Sequence, residues 1–410
     1  MTAPSSPAQH RSATPAAGWD VIVIGAGLVG SAAARHLTDA GARVAVIGPA
    51  EPADPDTARV FASHYDQGRV QRLIGFDELW TRMSVESAAA WPELERLTGH
   101  TVHDPVGCLY LAPHRDDYLS TAGDLGRQFD LSHRAVDGAS AVGQFAPALH
   151  VPDHVVGIME PGPAGSLNPR AVVAAQLQAA GETGATVVRD VATAMRRNNG
   201  VSEVSTAAGT VHRAGRVVVA TGSFTNTSDL LQRRLDVLVK GETVVLARVS
   251  ADTAANLTKL PSVLYEAETD EFDGIYLIKP LRYPDGRYYL KLGMNQAEDP
   301  LLDDSAAATD WFRGTPSDAT LQRLRRVVVS LFPTVDFLGF HAKRCILSRT
   351  VGRRPYLGPL GDGVVVAMGC NGYSAMASDA QGRIAAHLAL TGDVPDGYRA
   401  DEMAVKTVRD

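Results

Sequence analysis

The chain reads as an α/β protein: one dinucleotide-binding domain interrupted by a second domain built on an antiparallel β-sheet. Two patterns carry that reading. Three short, continuously apolar runs, ending near residues 24, 222 and 369, each pass directly into a glycine turn, as strands buried on both faces do where they open onto a ligand crevice. Between the second and third of them, residues 237–293 alternate apolar and polar positions in "TVVLARV", "GIYLIKPL" and "RYYLKLGMN". That is the period of a sheet whose two faces differ.

The first run opens "WDVIVIGAGLVGSAAARHLTDAGARVAVIG". Val21–Ile24 predicts a buried strand, Leu28–Leu37 a helix of small residues ended by Gly41, and Val44–Ile47 a second strand. Gly25, Gly27 and Gly30 complete GxGxxG at the strand-to-helix turn, in the order a dinucleotide site requires. Gly25 permits the tight turn. Gly27, flanked by Ala26, Leu28 and Val29, lets the backbone approach a pyrophosphate, and Gly30 allows close packing. A glycine-rich turn that binds nothing is the competing reading. One part departs from the pattern: an acidic residue for the ribose hydroxyls should end the second strand, but Gly48 stands there, and Glu51 is the acid that follows.

Further along, residues 73–97 place Phe76, Leu79, Trp80, Met83, Trp91, Leu94 and Leu97 at helical spacing, a core-packing pattern in which Pro92 kinks the helix or starts another. Short strands such as "VGCLYLA" follow, then a helix over Leu167–Ala180 opening at Asn168-Pro169. Two more strands are predicted in "ATVVRDV", which ends at Val191, and "RVVVATGSF", which turns at Thr221 and Gly222. Residues 318–332 read as a helix. The chain closes on "GVVVAMGCNGYSAMASDAQGRIAAHLALTG", a strand, a polar turn and a helix with Gly392 past its end. The divisions expected are a disordered Ala/Ser/Pro-rich leader over 1–18, a discontinuous dinucleotide domain over 19–100, 161–235 and 340–400, and a substrate domain over 101–160 and 236–339. No second GxGxxG follows a strand, which counts against an additional nicotinamide site.

Composition narrows the partners. A net charge of −7 argues against nucleic acid or an anionic membrane surface, and no apolar run reaches the roughly 20 residues of a membrane span. Three scattered cysteines, Cys108, Cys345 and Cys370, make no disulfide framework, so a reducing cytoplasm is expected. No HExxH, cysteine–histidine cluster or EF-hand pattern points to a metal. A monomer is expected.

The ordered set of "VIVIGAGLVGSAAARHL", "SHYDQGRVQRL", "YYLKLGMN", "RCILSRT" and "GCNGYSAM" resembles the D-amino-acid oxidase superfamily of FAD enzymes, and within it the monomeric sarcosine oxidase branch. The likeness runs from Trp19 to about Tyr398. It implies a Rossmann-like FAD domain interrupted by an antiparallel substrate domain, the glutathione-reductase-2-like architecture. The activity implied is oxidation of a primary or secondary amine, an amino acid or a derivative of one. A hydride leaves for flavin N5, an imine forms, and O2 reoxidises the flavin to give H2O2. The partners implied are therefore a small-molecule amine and O2.

The resemblance also assigns residues. Lys291 sits over the flavin as a fixed cation that promotes oxygen reactivity. Arg69 lies beside the ring, and Arg72 holds a substrate carboxylate. Asn371, Gly372, Tyr373, Ser374 and Met376 form the C-terminal flavin turn, with backbone N–H groups toward N1 and C2=O. In this sequence Met376 replaces a second basic group, Asn295 a histidine and Leu277 a tyrosine, which makes the pocket more apolar and admits a masked or larger amine. Cys345 falls at the position joined to the 8α carbon of FAD. Lys343, Arg344 and Arg349 are candidates to lower its thiol pKa; the other reading makes it a small buried hydrophobe. Two further functions stay open: an FAD dehydrogenase of a hydroxy acid that passes electrons to a carrier, and a flavin-binding protein without catalysis.

Overall fold

The structure, a computed structural model, describes residues 18–54, 57–227, 230–268, 272–361 and 363–408. The expected leader therefore lies outside the described residues except for Gly18. No described helix is long and apolar enough to cross a membrane.

The opening strand Trp19–Ile24 sits between Val44–Ile47 and Val211–Val219, parallel to both. Val21–Ile24 and Val44–Ile47 are at most 1% exposed, which explains their unbroken apolar character. Thr186–Val188 extends the sheet in parallel beyond Val44–Ile47, and Val364–Met368 lies parallel to the C-terminal half of Val211–Val219. An antiparallel ladder, Ala192–Asn198 with Val201–Thr206, pairs with its N-terminal half. Helix Leu28–Asp39 packs against both Pro169–Glu182 and Ser378–Thr391. Small residues make the second contact possible: a Cβ on Gly382 would lie 2.4 Å from Ala32 Cβ.

Glu78–Thr98 forms one helix, so Pro92 starts no second one. The side chain of Asp77 accepts from Trp80 N at 2.9 Å, and Gly99 at φ +72° closes the helix. Its inward stripe, Leu79, Trp80, Met83, Trp91 and Leu94, joins the core of the first domain. Phe76 precedes the helix and Leu97 is 48% exposed, so those two positions of the expected stripe lie outside the core.

The second sheet has the order Gly339–Thr350, Val237–Val249, Tyr288–Gln296, Phe272–Arg282, Ser262–Glu268, Cys108–Ala112, Val156–Glu160, Arg134–Asp137. Every pairing is antiparallel except that of Ser262–Glu268 with Cys108–Ala112. The edge strand Gly339–Thr350 pairs along its whole length with Val237–Val249, so the expected division at residue 340 cuts this sheet, and the return to the first domain comes after Thr350. Helix Asp318–Leu331 covers one face through Leu324, Val328 and Leu331, against Val245, Leu277, Leu290 and Leu292. The opposite face carries Lys291 toward the first domain, where it meets residues 66–68. A small sheet of Arg69–Gln71, Gly165–Leu167 and His103–Asp104 ties the two layers together.

Candidate active site

A cavity of about 710 Å³ opens at the carboxyl ends of the parallel strands, where open α/β sheets bind ligands. Gly25, Ala26, Gly27, Leu28 and Val29 line it, as do Gly48, Val191, Thr221 and Gly222. Steric room is the reason glycine stands at Gly25 and Gly48 in the lining and at Gly30 in the helix behind it. A Cβ on Gly25 (φ +106°) would lie 2.3 Å from the Ala220 carbonyl oxygen, one on Gly30 1.8 Å from Gly25 O, and one on Gly48 2.6 Å from Ala26 N. Helix Leu28–Asp39 starts at Gly27 with no side-chain cap and no acid in its first turn, leaving its N–H groups to an anion. These features fit an elongated dinucleotide with its pyrophosphate on the helix end.

Glu51 is not part of the lining. Arg170 holds its carboxylate at 2.5 and 2.7 Å. His64, which the sequence did not single out, lines the cavity beside Gly27, and its Nδ1 is buried without a partner among the described residues. Burial pulls its pKa down to about 4, so a neutral imidazole faces the cavity. On the C-terminal turn, Cys370 and Ser374 reach the lining. Asn371 (φ +47°) instead locks the turn, accepting from Thr350 N at 2.9 Å and donating to Gly369 O at 3.0 Å. Gly372 follows at φ +86°. Met376 is 3% exposed in the core and offers only its carbonyl, to Gln71.

A buried charge cluster lies where the second sheet meets the segment before the small sheet. Lys291, 1% exposed, donates to Asp66 Oδ2 at 2.6 Å and to Gly68 O at 3.1 Å. Arg69 donates to the same carboxylate and, at 2.7 Å, to Ser63 O. The Tyr276 ring stands 5.1 Å from the ammonium. Strand register explains the meeting: Tyr276 is opposite Gly293, whose missing side chain admits the ring, since a Cβ there would fall 2.3 Å from Tyr276 Cε1. The assignment of the ring tyrosine's position to Leu277 is therefore corrected. Leu277 is 2% exposed in the core on the far face, and Tyr276 is the tyrosine beside Lys291. Alternation along "IYLIK" places it there, one residue from the expected position.

Cys345 belongs to the same cluster. It is directly across from Glu242 in the ladder. Burial pushes the thiol pKa up, against Arg69. The expected lowering by its sequence neighbours is thus corrected: Arg344 points to the other face, its guanidinium 4.1 Å from the centre of the Trp311 ring, and Lys343 donates to Tyr65 O. Arg349 reaches Asn295 at 3.5 Å.

Arg72 forms a third group. It is 2% exposed, enclosed by Phe76, Tyr118 and Tyr373 with ring centres 4.6, 4.7 and 5.4 Å from its guanidinium carbon. Its Nη2 has no hydrogen-bond partner among the described residues. A buried cation with an unmatched donor is costly unless an anion completes it.

A family model described as FAD dependent oxidoreductase matches residues 20–388. N-methyl-L-tryptophan oxidase of Yersinia pestis (strain Pestoides F) is 29% identical over 208 residues, 50% of this chain and 54% of that protein. The chain thus spans about half the length of the curated relatives it matches. Among solved structures, NikD, an unusual amino acid oxidase essential for nikkomycin biosynthesis, superposes with a TM-score of 0.77 at 22% identity, over 96% of this chain and 98% of its own. Glycine oxidase from Geobacillus kaustophilus gives 0.70 at 18%, over 96% and 99%. At these identities the structures share the fold.

Proposed function

This chain belongs to the FAD dependent oxidoreductase family, and from that premise we propose that it is an oxidase of an amine bearing a carboxylate or an equivalent anion. The chemistry FAD supplies when bound is acceptance of two electrons from the carbon beside an amine nitrogen and their return to dioxygen. The chain's own residues supply the rest. The glycine turn and the N-terminus of Leu28–Asp39 would hold the pyrophosphate, and His64 offers a neutral imidazole beside Gly27. Lys291 keeps a cation in a dry site, where charge acts most strongly on developing anions. Arg72 orients the substrate.

The observation that carries the substrate reading is the unpartnered Nη2 of Arg72 inside its aromatic enclosure. A substrate carboxylate would complete that donor. With Met376 in place of a second cation, one anionic contact replaces two, so a secondary amino acid or an amino acid carrying a bulky group suits the site. The test is a panel of amines, with and without carboxylates, screened anaerobically for bleaching of the bound flavin and aerobically for peroxide. Bleaching by carboxylated amines with peroxide release is expected. Bleaching by hydroxy acids only, or none by any amine, overturns the proposal.

A further inference from the structure

We propose that Asp66 is the positioning residue of this centre, holding Lys291 as a cation and fixing the direction of its one uncommitted N–H. A lysine ammonium has three donors. Two are fixed, on Asp66 Oδ2 at 2.6 Å and Gly68 O at 3.1 Å, and the third has no acceptor among the described residues. The direction of that third bond is therefore set by the first two.

The Asp66 carboxylate is fully used. Oδ2 accepts from Lys291 and Arg69, while Oδ1 accepts from Tyr283 OH at 2.9 Å and from Gln67 N at 2.8 Å. At 4% exposed, bulk solvent offers it little compensation for losing these partners. Every element packed around Lys291 contributes a titratable group. Arg69 and Asp66 come from the preceding segment, Tyr276 and Tyr283 from Phe272–Arg282 and the turn after it, Glu242 from Val237–Val249, and Lys343 and Cys345 from Gly339–Thr350. Burial first, and then Arg69, pull the Lys291 pKa down to about 8, and the Asp66 carboxylate opposes them. Against its own burial, Lys291, Arg69 and Lys343 hold Asp66 well below the usual carboxylate range. Remove that one negative charge, and two adjacent buried cations face each other; the lysine, unlike the arginine, relieves the repulsion by releasing its proton.

What Lys291 does for catalysis rests on the oxidase reading above; the dependence of Lys291 on Asp66 does not. D66N can keep the bonds to Tyr283 and Gln67 through Oδ1, but it removes the charge and turns a donor toward Lys291 and Arg69, whereas D66E keeps the charge and both acceptor oxygens. The first readout is sulfite affinity of the flavin-loaded protein across pH, because sulfite adds as an anion and reports nearby positive charge. In wild type the affinity is expected to fall as pH rises through the Lys291 pKa. That midpoint should move down by about one unit or more in D66N, a tenfold or larger change in proton affinity. It should return toward the wild-type value in D66E and vanish in K291M. An unchanged midpoint in D66N overturns the proposal.

The second readout needs no cofactor. In thermal unfolding, D66N should lower Tm in wild type but much less in a K291M background, and if D66N alone is insoluble, the double variant should recover soluble protein. Equal losses in both backgrounds, or a double variant as insoluble as the single, overturn the proposal. Wild type that never takes up flavin defeats the oxidase reading and leaves this second test standing.

Discussion

Replacing Arg72 with methionine separates its role in binding from its role in folding. The substitution keeps a long flexible side chain among Phe76, Tyr118 and Tyr373 but removes the charge. The free-energy terms are readable from the site. Three cation–π contacts are lost, each about 0.5–2 kcal/mol. Against them stands the penalty of a buried guanidinium whose Nη2 is unmatched, and exchanging such charges for apolar packing is often neutral or stabilising by about 1–4 kcal/mol. The two ranges largely cancel, so the net change in Tm is expected to be small. Binding moves the other way. A charge-assisted hydrogen bond to a carboxylate is worth about 1.5–3 kcal/mol, so the Kd of a carboxylated amine or competitive acid should rise about 10- to 150-fold. Titration of the flavin spectrum with such a ligand measures this, beside a melting curve of the unliganded protein. Equal Kd in both proteins would mean that Arg72 meets no anion. A large loss of Tm, with ligand affinity lost only in proportion, would make Arg72 a structural cation.

Three other outcomes are expected. Acid denaturation of flavin-loaded wild type should leave yellow fluorescence on the polypeptide, and Cys345→Ser should release it; flavin that washes free from wild type makes Cys345 a packing residue, in line with the burial that pushes its thiol pKa up. Lys291→Met should slow reoxidation of reduced flavin far more than its reduction by substrate. In wild type the fast reoxidation should be present below about pH 8 and decline above it, because the Lys291 pKa is lowered to about 8 and the cation exists only below that value; stopped-flow traces with unchanged oxygen reactivity would remove Lys291 from the chemistry. Gly30→Ala should abolish flavin uptake, since its Cβ would stand 1.8 Å from Gly25 O, and normal flavin content in that variant would refute the packing argument.

The elements that sequence reading located best are those whose burial leaves no choice of residue. Val21–Ile24, Val44–Ile47 and the glycines between them are apolar or small because both faces of the strands and the turn are enclosed. The helix over 318–332 was legible as a helix, and Gly392 marks a helix end at positive φ. Less legible was which sheet a strand joins. "GFHAKRCILSRT" carries Lys343, Arg344 and Arg349 without a clean alternation, and the long ladder to Val237–Val249 places it in the second sheet. Face was harder still: Tyr276 and Leu277 exchange roles if the register is misjudged by one position.

Asp66 escaped notice for a different reason. A single aspartate in a polar stretch, "SHYDQGR", has no periodicity and no spacing to a partner 225 residues away. Its role arises only when Tyr288–Gln296 delivers Lys291 and the strand Arg69–Gln71 delivers Arg69 to one buried point. The same convergence explains why the centre suits an anion. Arg69, Lys291 and Lys343 stand there against one strongly ionised carboxylate, Asp66, while burial pushes the Glu242 pKa up against Lys240 and so weakens the second. A dry site with that imbalance favours whatever brings negative charge to it. Under the proposed oxidase reading the cluster would stabilise anions formed during the reaction, and the Asp66 carboxylate offsets part of its cost to the unliganded fold.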